Sequence, residues 1–314
     1  MPKKEIVLSI IICTRNRDRL LGSTLDSMSR CTIPRGLGWE IIVVDNNSSD
    51  HTSQMVDSYR GKLPLHYLFE PEGGLSQARN RGIASASGNL IIFSDDDIKP
   101  VSNWIKLYWD NFRQKTGNFM FGGPIVSMYE AEEIDYALMT LAPPSIAGLD
   151  FGSEPKILAS NEYFVSSNWA CPARGIRKAG GFDHRLGLNE SNPGIVVGEE
   201  IDLMVRLENM GYRKWYIPEA KVIHHVPSYK STLGHIASRK KSSGYSDVIK
   251  KDFTGYSTRR FIGFIAYHSV KGLNSVMKYC IGIAMGRKDY YAYLEWKRFL
   301  GIIKGLRQRK RNAL

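Results

Sequence analysis

Three apolar runs, Glu5 to Cys13 (EIVLSIIIC), Glu40 to Asp45 (EIIVVD) and Leu90 to Phe93 (LIIF), each break into polar or acidic residues. Runs this short and this uniformly apolar read as strands buried on both faces, the mark of a parallel sheet covered by helices. After the first run, Leu20, Leu21, Leu25 and Met28 fall at helical spacing with Asp18 near the helix start. Leu65 to Phe69 supplies a further strand, and Gly73-Gly74 then opens a helix rich in small residues, Ala84 and Ala86 among them. Strand, helix, strand with polar strand ends is an α/β pattern whose ligands gather outside the carboxyl ends of the strands. Thr14, Asp45 and the triplet Asp95-Asp96-Asp97 would all lie along that edge.

The triplet follows the LIIF run and Ser94. On an extended backbone Asp95 and Asp97 would point one way and Asp96 the other. Two like charges on one side are costly without a cation, and a hard divalent ion shared with a diphosphate removes that cost. Taken in isolation, an Asp triplet reads more readily as a solvated acidic turn before a helix. No Gly-x-Gly-x-x-Gly follows either of the first two strands and no Gly-x-x-x-x-Gly-Lys-Ser/Thr occurs, which argues against dinucleotide and P-loop enzymes.

With 314 residues, 43% hydrophobic, the chain can bury one large or two small cores. Met1-Pro2-Lys3-Lys4 runs straight into the first strand without a cleavage site, and Cys13, Cys31, Cys171 and Cys280 form no Cys-x-x-Cys pair. Both features lead to the expectation of a reducing, cytoplasmic setting. No apolar stretch is long enough to span a bilayer. The net charge of +12 is uneven: up to His225 there are 24 Lys and Arg against 27 Asp and Glu, and from Val226 onward 19 against 4. The basic C-terminal segment therefore marks a region with its own partner.

The segments SIIICTRNR, IIVVDNNSSD, GGLSQARNRG and IIFSDDD, in this order, resemble the nucleotide-sugar half of family-2 glycosyltransferases. SNWACPARGIRKAGGFD and GEEIDLMVRLENMGYRKWYIPEAKVIHH resemble the acceptor half. The resemblance implies a glycosyltransferase-A fold, an α/β architecture with a Rossmann-like, mostly parallel sheet and flanking helices. Residues 1–228 would form this catalytic domain, with a nucleotide-sugar half of about 1–128 and an acceptor half of about 129–228. Residues 229–314 would follow as a basic, amphipathic helical region.

Carried over residue by residue, the resemblance assigns Thr14, Arg15, Asp45, Arg79, Asp95 and Asp96 to the nucleotide-sugar. Asp45 would accept the imide N–H of uracil, although a strand-end Asx turn suits its Asn-Asn-Ser-Ser continuation as well. Arg79 would reach base or diphosphate, its alternative being a surface ion pair. Asp97 and His224 would hold Mn2+ or Mg2+, an imidazole ligand favouring Mn2+; the adjacent His225 leaves the choice between the two histidines open. Glu200 takes the place of the catalytic base in Gly198-Glu199-Glu200, where the family carries Asp. One base suffices for an inverting transfer, because it removes the acceptor hydroxyl's proton as that oxygen attacks the anomeric carbon. Glu199 and Asp202 have structural as well as catalytic readings, and Asp202 can pair with Arg206 one turn on. Trp169 is either a sugar-stacking face or a core side chain. Residues 129–161 lose periodicity and read as a functional loop or an irregular connection.

Beyond Ser257, Ile262, Ile265, Leu273, Val276, Met277, Cys280 and Ala284 recur every three to four positions, with Lys271, Asn274 and Lys278 on another face. Trp296, Phe299, Leu300 and Ile303 repeat the pattern opposite Arg298, Lys304 and Arg307. Such faces pack on the catalytic domain or a second subunit, making a homo-oligomer, or they lie on an anionic bilayer. The expectation is an enzyme that moves a sugar from a UDP-sugar to a glycan or lipid-linked acceptor in polysaccharide biosynthesis. It would act peripherally on the inner face of a membrane, with no nucleic-acid partner. A nucleic-acid-binding protein using the basic third, or a catalytically silent sugar-binding relative, are the alternatives.

Overall fold

The computed structural model describes residues 5–187, 197–251 and 257–312. The Met1-Pro2-Lys3-Lys4 start lies outside the described residues. Strands run β1 (Leu8–Thr14), β2 (Trp39–Asp45), β3 (Leu65–Phe69), β4 (Leu90–Asp95), β5 (Ile98–Pro100), β6 (Phe119–Gly122), β7 (Ile125–Tyr129), β8 (Lys156–Ile157), β9 (Trp169–Pro172), β10 (Arg213–Tyr216) and β11 (Val222–Val226). Helices run α1 (Asp18–Ser29), α2 (Thr52–Asp57), α3 (Leu75–Ser85), α4 (Trp104–Gln114), α5 (Tyr136–Met139), α6 (Pro144–Ala147) and α7 (Ala173–Lys178). They continue with α8 (Glu199–Asn209), α9 (Leu233–Lys250), α10 (Thr258–Ala284) and α11 (Tyr290–Asn312).

Eight strands form one sheet in the order β3-β2-β1-β4-β9-β6-β10-β8, and β5-β11-β7 form a second. The first four strands of the large sheet are parallel to one another; β9 is antiparallel to both β4 and β6. The uniformly apolar runs are explained by burial on both faces. Ile10, Ile12, Ile41, Val43, Leu90 and Ile92 enter one core with Leu21 and Leu25 of α1 and Trp104 of α4. Their alternating neighbours Ile11, Ile42, Val44, Ile91 and Phe93 enter the other, with Ala78 of α3 and Leu203 and Leu207 of α8. Helix α3 uses small residues because it lies close on the sheet: a Cβ on Gly82 would sit 2.6 Å from Ile11 Cγ2.

Asn168, wholly buried, joins four segments before β9. Its Oδ1 accepts from Trp104 Nε1 and from the Tyr108 hydroxyl, each at 2.8 Å, while its Nδ2 donates to the carbonyls of Pro124 (3.0 Å) and Ala220 (2.7 Å). The two carbonyls precede β7 and β11, so this amide helps fix the small sheet. The register of that sheet, His224 opposite Ile98, sets His224 beside the Asp triplet.

The chain divides into two compact units. The first holds the described residues within 1–128, 148–191 and 199–225, with both sheets' principal strands; the second holds those within 129–147, 192–198 and 226–314. The stretch read as aperiodic contains the single-turn helices α5 and α6, whose Leu138, Met139 and Ile146 share a core with Val226, Ile236 and Leu294 in the second unit. Helices α9 and α11 pack closely there: a Cβ on Gly301 would lie 1.9 Å from the Lys241 carbonyl oxygen. Helix α10 packs on α11 through Gly272 against Phe299 and through Tyr279 stacked on Trp296. The apolar face of α11 is therefore used within the unit. No described helix is long and apolar enough to cross a membrane.

Candidate active site

The carboxyl ends of β1, β2 and β4, the N-terminal turn of α8, the body of α3 and strand β11 supply the chemistry-bearing side chains. The Asp triplet does not continue the strand: β4 ends at Asp95, and Asp96 and Asp97 form a turn before β5. The strand alternation expected from sequence therefore does not orient the three carboxylates; a turn does. Asp95, Asp97 and His224 each offer one ligand atom, all within 4.8 Å of one another. His224 Nε2 lies 3.2 Å from Asp97 Oδ1, and both side chains are nearly buried. His225 donates its backbone N–H to the Asp97 carbonyl and is not part of this cluster. Two carboxylates and an imidazole suit a small divalent cation of the Mg2+ or Mn2+ kind.

Arg79 is not a surface residue. It is 3% exposed, and its Nη1 lies 3.0 Å from Glu199 Oε1 and 3.2 Å from Glu200 Oε1, with Nη2 3.9 Å from Asp95. Its guanidinium also lies over the Phe182 ring at 5.2 Å. One buried cation thus joins the α8 carboxylates to the triplet. Burial and the neighbouring Glu200 charge push the Glu199 carboxyl up to about 7. Burial also opposes ionisation of Glu200, but Arg79, backbone hydrogen bonding and bonds from Glu199 and Ser166 outweigh it and hold Glu200 below its ordinary range. Glu199 is thus pushed toward holding a proton while its neighbour Glu200 is held toward the ionised form, the form a general base requires. Glu200 is also the more accessible of the two, 15% against 7% for the side chains.

Burial pushes Asp95 upward, and Asp96 to about 7, against the pull of Arg79 on the former and Arg17 on the latter. Asp96 accepts from Thr14 Oγ1 at 2.7 Å and from Arg17 Nη1 at 2.5 Å. Arg17 is a site residue that the sequence reading misses, although it lies inside the SIIICTRNR segment; it also reaches Asp97 Oδ2 at 2.6 Å. Asp45 is buried at the end of β2, where its Oδ1 accepts from Ser48 N (2.8 Å) and its Oδ2 from the Tyr67 hydroxyl (2.7 Å). The Asx-type turn is thus made. Arg15 is half-buried in the turn after β1. Trp169 is a core side chain, wholly buried and stacked on Phe93 at 4.8 Å. Asp202 pairs with Arg206, which also donates to the Ala179 and Gly181 carbonyls, so this pair braces α8.

The profile of Glycosyl transferase family 2 matches residues 9–149. The succinoglycan biosynthesis protein ExoM of Rhizobium meliloti (strain 1021) is 26% identical over 249 residues, 78% of this chain and 75% of that protein. The validoxylamine A glucosyltransferase of Streptomyces hygroscopicus subsp. limoneus is 38% identical over 95 residues, 29% of this chain and only 20% of that protein. Among solved structures, the mannosyltransferase PcManGT of Pyrobaculum calidifontis in complex with GDP-Man and Mn2+ superposes with a TM-score of 0.58 at 17% identity, covering 96% of this chain and 87% of that one. TarS 1–349 of S. aureus in complex with UDP superposes with a TM-score of 0.55 at 15% identity, covering 97% and 92%.

The Glu199 proton has a measurable consequence. A carboxyl whose folded-state pKa is raised from 4.5 to about 7 binds a proton that the unfolded chain releases. Stability is then lost as pH rises from about 4.5 through about 7. Glu199→Gln cannot ionise, so in the presence of chelator its urea midpoint should fall less than that of the wild type between pH 5 and pH 8. Parallel curves for the two proteins would place the Glu199 proton elsewhere. Motif order, sheet topology and profile match agree: residues 9–149 match Glycosyl transferase family 2, and the chain has the glycosyltransferase-A fold of the solved structures it resembles.

Proposed function

We propose that this protein is an inverting, metal-dependent glycosyltransferase that uses a UDP-sugar donor and a glycan or lipid-linked acceptor in polysaccharide biosynthesis. The observation that carries the reading is the convergence of an ionised Glu200 and the Asp95–Asp97–His224 cluster around Arg79. Asp97 and His224 would hold the divalent ion, with Asp95 beside them or on the ribose. When bound, that ion supplies positive charge to the departing diphosphate. Thr14, Arg15 and Asp45 line the sheet edge expected to take the nucleoside, with Asp45 facing the base. Glu200 takes the acceptor proton, and Arg79 keeps its carboxylate ionised and aimed. Glu199, pushed toward its protonated form by burial, would limit the charge next to Glu200. A nucleic-acid partner would leave this acidic cluster without a use. GDP-Man with Mn2+ bound to PcManGT and UDP bound to TarS support a nucleotide-sugar and a metal here, and the ExoM likeness supports a polysaccharide pathway.

Screening UDP-, GDP- and dTDP-sugars for Mn2+-dependent hydrolysis and transfer tests the reading. Turnover should appear with a UDP-sugar, and Glu200→Gln should lower transfer by about 100-fold or more, the usual contribution of a general base, while leaving nucleotide affinity near wild type. Normal transfer by Glu200→Gln together with its loss in Glu199→Gln would move the base one residue.

The second unit is proposed to bind the surface of an anionic bilayer through α10. Ile262, Ala266, Val270, Leu273, Met277 and Ile281 follow one another at spacings of three and four along one side of this helix, and all are exposed; Val270 is 68% and Leu273 65% accessible. Arg259, Arg260, Lys271 and Lys278 lie along the same helix, in a segment with 19 basic and 4 acidic residues. Basic amphipathic helices of this kind lie in the interface and are drawn to anionic lipid. The full chain should co-sediment with vesicles containing anionic lipid, less so at high salt, and Val270→Asp with Leu273→Asp should release it. Equal recovery of both proteins in the supernatant at low salt would leave self-association as the use of this face.

A further inference from the structure

Arg17 occupies an unusual electrostatic position. Its guanidinium forks across two nearly buried carboxylates, Nη1 to Asp96 Oδ1 at 2.5 Å and Nη2 to Asp97 Oδ2 at 2.6 Å, while 30% of its own side chain stays accessible. The other oxygen of Asp97 faces His224 Nε2 at 3.2 Å. A single carboxylate is therefore shared between a fixed-charge side chain and the three-residue cluster suited to a divalent cation.

The backbone beneath Arg17 is pinned. Asn16 has a left-handed conformation (φ 52°), its N–H donates to Ser48 Oγ at 2.9 Å, and its Oδ1 accepts from Ser49 N at 2.7 Å. Arg17 is the residue capping α1, so its Cα is fixed while its long side chain is not. A cation of charge +2 on Asp97 would sit beside this guanidinium, and like charges at such separations repel strongly in a buried site. Conversely, with Arg17 removed, Asp96 and Asp97 would be left as uncompensated buried carboxylates, a state that a divalent ion relieves. The partly accessible guanidinium has a natural second anion: the diphosphate of a bound nucleotide, which its planar fork matches.

We propose that Arg17 is an internal counter-cation that competes with the divalent ion for Asp97 and moves to the donor diphosphate when ion and nucleotide bind together, making their binding cooperative. This rests on the metal–diphosphate reading of the site. Arg17 is thus a positioning residue that sets how strongly the metal depends on the nucleotide.

The test is Mn2+ binding to the full chain, followed by the loss of the free Mn2+ electron paramagnetic resonance signal, with and without UDP. In the wild type, UDP should tighten Mn2+ binding about tenfold or more, within the usual range of coupling between sites. In Arg17→Ala, Mn2+ alone should bind about tenfold tighter than to the wild type, and the gain from UDP should shrink to less than about threefold. Arg17→Lys, which keeps the charge with a single head, should fall between, and Arg17→Gln should follow Arg17→Ala. Unchanged or weaker Mn2+ binding by both neutral variants, in proteins whose circular dichroism and melting match the wild type, would overturn the proposal. Asp97→Ala separates the two levels of inference. Loss of Mn2+ binding in Asp97→Ala together with indifference to Arg17 defeats the counter-cation alone, whereas Mn2+ binding unaffected by Asp97→Ala defeats the metal site and the counter-cation with it.

Discussion

Five carboxylates, Asp95, Asp96, Asp97, Glu199 and Glu200, converge at the carboxyl edge of the sheet, and two guanidiniums hold them there. Arg79 reaches Glu199, Glu200 and, at longer range, Asp95; Arg17 reaches Asp96 and Asp97. Asp96, Asp97, Glu199 and Glu200 are largely withdrawn from water, which makes any charge they keep costly unless it is paired, while the Asp95 side chain stays 31% accessible. The arginines decide which remain charged. Burial drives Glu199 and Asp96 toward protonation, while Glu200 stays ionised because the Arg79 charge and its hydrogen bonds prevail over its desolvation. This charge balance is what the proposed reading requires: a divalent ion beside a diphosphate, and a reaction that removes one proton.

The scaffold accounts for the placement of these groups. Parallel pairing of β1 with β2 and β4 aligns Thr14 with Asp45 and Cys13 with Asp95, so strand ends that are far apart in sequence share one edge. Cys13, immersed among them, is pushed up to about 12 by burial and is inert as a thiol at neutral pH. The small sheet then contributes His224 through its register with Ile98, and the saturated amide of Asn168 ties the loops that lead into it. Removing that amide would leave the Trp104 indole N–H and the Ala220 carbonyl without a partner in a dry interior, while the Pro124 carbonyl would keep the Val222 N–H.

Much of the first unit is legible in the sequence because strands buried on both faces leave uninterrupted apolar runs: β1, β2, β3 and β4 all appear at or near their expected positions. Asp95, Asp97, His224, Arg79 and Glu200 carry visible chemistry in recognisable segments. What stays hidden depends on tertiary contacts. Local spacing cannot tell that Asp96 and Asp97 sit on a turn, that Arg17 rather than Arg15 reaches them, or that Arg79 is locked between glutamates 120 and more residues away. Helix α9 is not evident from sequence, because RKKSSGYSD offers little apolar periodicity and the helix is stabilised by its glycine-mediated packing on α11. The C-terminal amphipathic stretches are helices, but their apolar faces have different uses: that of α11 is spent on its neighbours, and one side of α10 remains exposed.

The metal–diphosphate site is tested most directly by anomalous X-ray scattering from crystals grown with UDP and Mn2+. A single manganese peak at bonding distance from Asp97 and His224, contacting the diphosphate of a UDP seated over the edge formed by Thr14, Asp45 and Asp95, is the expected result. UDP bound at that edge with no manganese among Asp95, Asp97 and His224, or with the metal at other residues, would contradict it.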